Sequence, residues 1–218
     1  MPAIAGDHNE IFAAGNRLRR QEDAVGLSVM ILGLVVFFGI HLVSTRRALR
    51  TQLIARFGAS AYKLGYAVVA AIGLALIIWG FASYRATGWI DVWTPPKAMR
   101  HIAVGLMLPA VIMVVAAYLR GRIYTTLKHP MLAGVKLWAL AHLLANGDLG
   151  SIILFGSFLA WAVFDRISLK RRTDGGGPPI PVGGPLNDVL AVVVGIVAYL
   201  ALGFAFHPVV IGVPVFGA

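Results

Sequence analysis

Five apolar runs, each long enough to cross a bilayer, constrain this chain more than any other feature: Ala24–Ser44, Gly65–Tyr84, Ile102–Leu119, Leu149–Phe164 and Leu186–Phe206. A hydrocarbon core about 30 Å thick takes about 20 mostly apolar residues of helix to span. Inside it every backbone amide must be satisfied within the protein, so single runs of this length must be helices. A sixth run, Met131–Ala145, is shorter and carries Lys136. Its length also suits a tilted, interfacial or re-entrant helix. The expected fold is all-α and integral to the membrane, with about six transmembrane helices, the fourth short and a candidate for re-entry. Composition agrees. Of 218 residues 59% are hydrophobic and only 13% charged, far from the balance of an ordinary soluble domain.

These runs predict a polar tail over residues 1–23, one polytopic domain over 24–207 and a short tail over 208–218. The longest polar linker, Asp165–Pro185, is rich in Gly and Pro between residues 174 and 185, a composition that favours a flexible connection. The first 23 residues are polar and mixed in charge, so no cleavable signal peptide is expected. The absence of cysteine excludes thiolate metal sites, iron–sulfur clusters and covalently attached haem.

Net charge is +10, but the Lys and Arg residues lie between the apolar runs. They read as topology signals, and no nucleic-acid partner is expected; the surroundings are lipid. Three precede the first run, and five, three, three, none and four occupy the successive connections. Placing both termini outside puts twice as many on the cytoplasmic side as on the other. That arrangement puts the basic stretch "STRRALRTQLIARFGASAYK" on the cytoplasmic face, where a helix in the headgroup layer or a solvated loop would fit. Trp89 and Trp93 then anchor the opposite interface.

Ionisable groups inside apolar segments are costly and need a reason to be there. His8 falls in the polar tail, and His207, next to Pro208, reads as a cap at the end of the last run. Four histidines remain: His41, His101, His129 and His142. A single one is more simply a helix-packing hydrogen-bond donor. Four in separate regions point to a cofactor held between helices, with axial ligation of haem as one such use. Zinc has neither an HExxH motif nor an acidic cluster to support it. His129 and His142 are thirteen residues apart, about 20 Å along a straight helix, so they cannot share a metal unless that helix breaks. Trp138, His142 and Asn146, spaced by four, share one face; His129 and Lys136 form another. With six straight spans, depth pairs His41 with His129 and His101 with His142. A shallow or re-entrant fourth helix pairs His41 with His142 instead.

The stretch "KHPMLAGVKLWALAHLLANGDLGSIILFGSFLAWAVFDRISLKRR", with "FFGIHLVSTR" and "MRHIAVGLMLPAVIMVVAAYL", resembles the NnrU family of bacterial inner-membrane proteins. The resemblance runs from Val25 to about His207. It implies an inner-membrane location and an association with denitrification and nitric oxide metabolism. The plastid relatives of that family are similar to 15-cis-zeta-carotene isomerases, which bind haem b through histidines. Their ligand positions fall on His41 and His142; membrane depth leaves His41 and His129 as the alternative pair. The resemblance thus implies haem b, with redox or isomerase-like chemistry on a small or lipophilic substrate. A non-catalytic role in assembling denitrification reductases is the main rival.

More distantly, Lys128-His129-Pro130-Met131-Leu132-Ala133-Gly134 resembles the Arg-His-Pro-x-Tyr-x-Gly motif of isoprenylcysteine and phospholipid methyltransferases. Asn146 falls near their later asparagine. Here the tyrosine is missing, and Asp165 alone stands near their paired glutamates. Methyl transfer ranks third.

Overall fold

The computed structural model describes residues 5–171 and 182–216, with side chains from residue 25 onward. Most of the Gly/Pro-rich stretch at 174–185 lies outside them. The described residues are helical almost throughout. Five helices or helix pairs are long and apolar enough to cross a membrane: Val25–Thr45, Ala59–Thr87, Lys97–Leu119, Leu149–Lys170 and Pro185–Ile211. The sixth apolar run is the shorter helix Pro130–Ala145. The all-α membrane fold with about six helices is thus observed.

The elements in order are α1 (Ala5–Thr45), α2 (Arg47–Phe57), α3 (Ala59–Thr87), α4 (Lys97–Leu119), α5 (Arg122–Leu127), α6 (Pro130–Ala145), α7 (Leu149–Lys170) and α8 (Pro185–Ala201), followed by a π-helical segment, Leu202–Ile211. Several helices outrun their apolar cores. α1 begins inside the polar tail, at Ala5, and α3 starts six residues before Gly65. Hydropathy marks only the part of a helix that needs hydrocarbon around it. The basic stretch after the first span is helix, as the headgroup-layer reading required. α2 buries none of its residues. Gly58, at φ +82° and ψ 157°, turns the chain between α2 and α3 in a conformation essentially reserved for glycine.

Packing divides the chain into two compact units. One comprises residues up to Val92 together with Asp148–Leu154, and the other comprises Trp93–Gly147 and residues from Phe155 onward.

The first unit rests on an antiparallel pair, α1 and α3, whose backbones meet through glycine. A Cβ added at Gly26 would lie 2.6 Å from the Tyr84 amide nitrogen, at Gly33 2.6 Å from that of Ile77, and at Gly73 2.7 Å from that of Phe37. One at Gly80 would collide with the Met30 backbone. Gly26 and Gly33 are seven apart, as are Gly73 and Gly80, so each pair recurs on one helical face and forms a continuous seam. Lipid tails are as apolar as Leu, so helices in a membrane associate by close packing, which small residues allow. The sequence marks Gly33, Gly39, Gly73, Gly80 and Gly156 alike as residues that permit close helix approach. Gly39 and Gly156, which share the same signature, have no atom within 4 Å of an added Cβ.

Tyr84 closes the same unit. It is fully buried, its hydroxyl accepts the Ile90 amide at 2.8 Å, and its ring fills the space beside Gly150. Asp148 caps α7 by accepting the Ser151 amide at 2.9 Å, and the Leu149 amide donates to the Ile90 carbonyl. This Asx-type cap is the role expected of Asp148 in the turn "ANGDLG".

In the second unit α4 is the centre. Gly134 of α6 sits against the Ala110 carbonyl and Val114, and Gly195 of α8 against Ile112. Tyr199 donates to the Val104 carbonyl at 3.2 Å. At the other end of α8, Asp188 accepts the amides of Arg122 and Ile123 at 2.8 and 2.9 Å. These are two of the otherwise unsatisfied amides at the start of α5. Asn187 donates its side-chain amide to the Leu119 carbonyl at the end of α4. The turn between α4 and α5 is therefore held by the start of α8.

Candidate histidine site

α6 opens at Pro130, whose missing N–H and fixed φ suit the first helical turn, and closes at Asn146. Its stripe of Trp138, His142 and Asn146 is built by backbone carbonyls four residues back. His142 Nδ1 lies 2.8 Å from the Trp138 carbonyl oxygen, and the Asn146 side-chain amide donates to the His142 carbonyl at 2.8 Å. A carbonyl can only accept, so Nδ1 of His142 carries the proton and Nε2 of the neutral ring keeps its lone pair. This is the arrangement usual in metal-ligating histidines, where the second ring nitrogen is anchored to a carbonyl or carboxylate.

The ring of His142 lies within an aromatic cluster. Phe155 of α7 stacks on it at 4.4 Å between centroids and 27° between planes. Trp138 lies 5.2 Å away and meets Phe155 and Phe158 edge-on at 5.0 and 5.3 Å. The remaining neighbour is another imidazole, that of His207, with centroids 6.3 Å apart and planes 28° from parallel. His207 Nδ1 donates to the Leu202 carbonyl at 2.9 Å, five residues back. The step is five because this segment winds as a π-helix. Pro208 brings no N–H to the ladder, and the winding carries on to Ile211. His207 is held as His142 is, with its proton on Nδ1.

His41 belongs to the first unit and repeats the anchoring, with Nδ1 2.6 Å from the Phe37 carbonyl oxygen. Its ring packs against Phe37 at 4.1 Å and Tyr66 at 5.5 Å. His129 is the half-buried N-cap residue of α6, making no capping bond with its side chain. α6 is unbroken, so His129 and His142 stand at its opposite ends. His101 is exposed in the first turns of α4 and takes no part in the aromatic cluster. Lys136 is half-buried on α6, six residues before His142 and therefore on another face.

Of the four histidines marked by sequence, the structure gives His142 a second imidazole. It supplies that partner from His207, the one set aside as a cap. A usable signal was present. His142 and His207 each fall at the C-terminal end of an apolar run. Among the described residues no group of three or more His, Asp or Glu side chains is placed to hold a metal ion.

Apolar helices in two packed units, one with a paired-histidine cluster walled by aromatic rings, define a multi-pass α-helical membrane protein. The chain belongs to the NnrU family. The model of that family, described as NnrU protein, matches residues 29–215, most of the chain. No curated protein and no solved structure matches it.

Proposed function

We propose that this protein binds haem b through histidine in the inner membrane and serves nitrite- or nitric oxide-related chemistry there. One observation carries the reading. His142 is embedded in aromatic rings with Nδ1–H pinned to the Trp138 carbonyl, which leaves Nε2 as a basic nitrogen without competing thiolates. The donor set suits iron in a macrocycle, since imidazole is a common axial ligand. Bound haem would supply an iron centre for electron transfer or for binding a small ligand such as nitric oxide. The chain's own contribution is to fix the tautomer and ring plane of its histidines and to surround them with apolar side chains. Membership of the NnrU family supports the nitric oxide association. His41, whose Nδ1 is likewise held by a backbone carbonyl in the first unit, is a further candidate ligand.

Protein purified from haem-replete cells should show a Soret band and, after dithionite, b-type visible bands. His142→Ala should diminish both. Well-folded protein that carries no haem and takes up none when it is added would sink the reading, and a non-catalytic role in assembling denitrification reductases would replace it.

The loop charges support a topology with both termini periplasmic. The cysteine-free background makes the check direct: Ser60→Cys, exposed at the start of α3, should react with an impermeant maleimide from the cytoplasmic side only. Reaction from the periplasm reverses the topology.

A further inference from the structure

We propose that α2 docks on an anionic lipid surface. Its arginines hold the phosphate groups of acidic phospholipids while an apolar stripe between them enters the acyl boundary. The proposal is independent of haem and rests on the first unit alone.

Charge points to the ligand class. From Ala24 to Ile90 the chain has no Asp or Glu, and Arg46, Arg47, Arg50, Arg56 and Lys63 fall together between its first two spans. The counter-charge has to come from outside this stretch. α2 buries none of its residues, and Arg46 and Arg56 are exposed. Acidic lipids attract basic segments beside a transmembrane helix, by about fivefold in affinity for each Lys or Arg near the surface.

The arrangement of α2 suits that surface. Leu49, Leu53 and Phe57 are spaced by four and share one face. At 3.6 residues per turn, Arg56 lies about 20° to one side of this stripe and Arg50 about 20° to the other. Arginines so placed can lift their guanidinium groups to the phosphates while their stems and the stripe lie deeper. Leu49 and Phe57 are 38% and 58% exposed, so the protein leaves the stripe open. The opposite face, with Ala48, Thr51, Gln52 and Ala55, carries no charge.

Helix register sets the tilt. α1 and α3 meet at Gly26–Tyr84, Gly33–Ile77 and Phe37–Gly73, stepping equally along both helices. Carried on at the same step, the end of α1 at Thr45 stands level with Gly65. α3 begins at Ala59, so it overshoots α1 by about 9 Å. α2 is about 16 Å long and makes up that drop, so it runs obliquely. The drop is comparable with the depth of the headgroup region, about 5–8 Å on each side of the hydrocarbon.

The cysteine-free chain allows a single reporter. Full-length Phe57→Cys protein, labelled with an environment-sensitive fluorophore, would be placed in lipid nanodiscs, which leave both membrane faces open. In discs containing phosphatidylglycerol the label should be shielded from acrylamide, a neutral aqueous quencher. In phosphatidylcholine alone it should be severalfold more accessible, and added salt should weaken the shielding. A label at Gln52→Cys, on the uncharged face, should stay accessible in both lipids. Adding Arg50→Gln and Arg56→Gln to Phe57→Cys should abolish the difference between the lipids. If that variant folds poorly, the two-lipid comparison decides alone. Equal shielding in both lipids overturns the proposal, because apolar insertion would then need no lipid charge. Equal accessibility in both also overturns it and turns the arginines towards an acidic protein partner. So does a lipid difference that survives in well-folded protein lacking both arginines.

Discussion

The two units hold their helices together by different means. In the first, α1 and α3 meet backbone to backbone along Gly26, Gly33, Gly73 and Gly80, with Tyr84 closing one end. In the second, glycine serves α4 at Gly134 and Gly195, and side chains add polar and ring contacts. Asp188 and Asn187 tie α8 to the α4–α5 turn, while Trp138, His142, Phe155 and His207 form the ring cluster. A glycine seam leaves no room between helices for anything else. A contact made by rings and side-chain polar groups can leave donor atoms unused by the fold. The paired histidines stand in the unit built the second way.

The seam should be the more brittle of the two. Gly80→Leu would drive a branched side chain into the Met30 backbone, where no rotamer relieves the clash. Loss of folded, monodisperse protein on detergent extraction is the expected outcome. Gly33→Ala adds one methyl group 2.6 Å from the Ile77 nitrogen and should cost about 1–3 kcal/mol, the range for overpacking. Denaturation in mixed micelles would measure it. Both variants folding as the wild type does would show that α1 and α3 slide freely, and the contrast between the units would collapse.

A smaller effect is expected at Asp188. Its carboxylate accepts two amides at the start of α5, so Asp188→Ala leaves both without that acceptor. Water at the membrane surface can replace part of the loss, because Asp188 is only half-buried. The expected cost is about 0.5–2 kcal/mol, as for other helix caps. Hydrogen exchange should rise first at Arg122 and Ile123. Faster exchange in α8 before α5 would assign the latch a different direction of support.

How much of this was legible beforehand depends on which force left a mark in the residues. Burial in hydrocarbon needs long apolar runs, so the number and kind of spans could be read directly. Helix ends could not. α4 begins at Lys97 rather than Ile102, because a helix continues into the interface after its hydrophobic requirement ends. The capping roles of Asn146 and Asp148 followed from their residue types. His207 was obscured by its neighbour: a proline after a histidine at a span's end ordinarily marks termination, whereas here the chain winds on as a π-helix. Glycine was ambiguous for another reason. Identity shows that a close approach can be accommodated, not that a partner exists, and Gly26 at the polar end of its run gave no signal at all.

That ambiguity supplies the prediction with the smallest expected effect. Gly39 lies on α1, as Gly33 does, six residues further along and so about 120° away from it as α1 winds. An added Cβ there meets no atom within 4 Å, and the residue is exposed on the protein surface, where lipid would surround it. Gly39→Ala should therefore leave folding intact and stabilise α1 slightly, by no more than the ~1 kcal/mol that separates the helix propensities of Gly and Ala. Paired with Gly33→Ala in the same micelle assay, it makes the helix its own control. Opposite signs would show that the face of α1, and not its glycine content, carries the packing. A destabilising Gly39→Ala would mean that a further surface, one absent from this single chain, packs against α1 at that position.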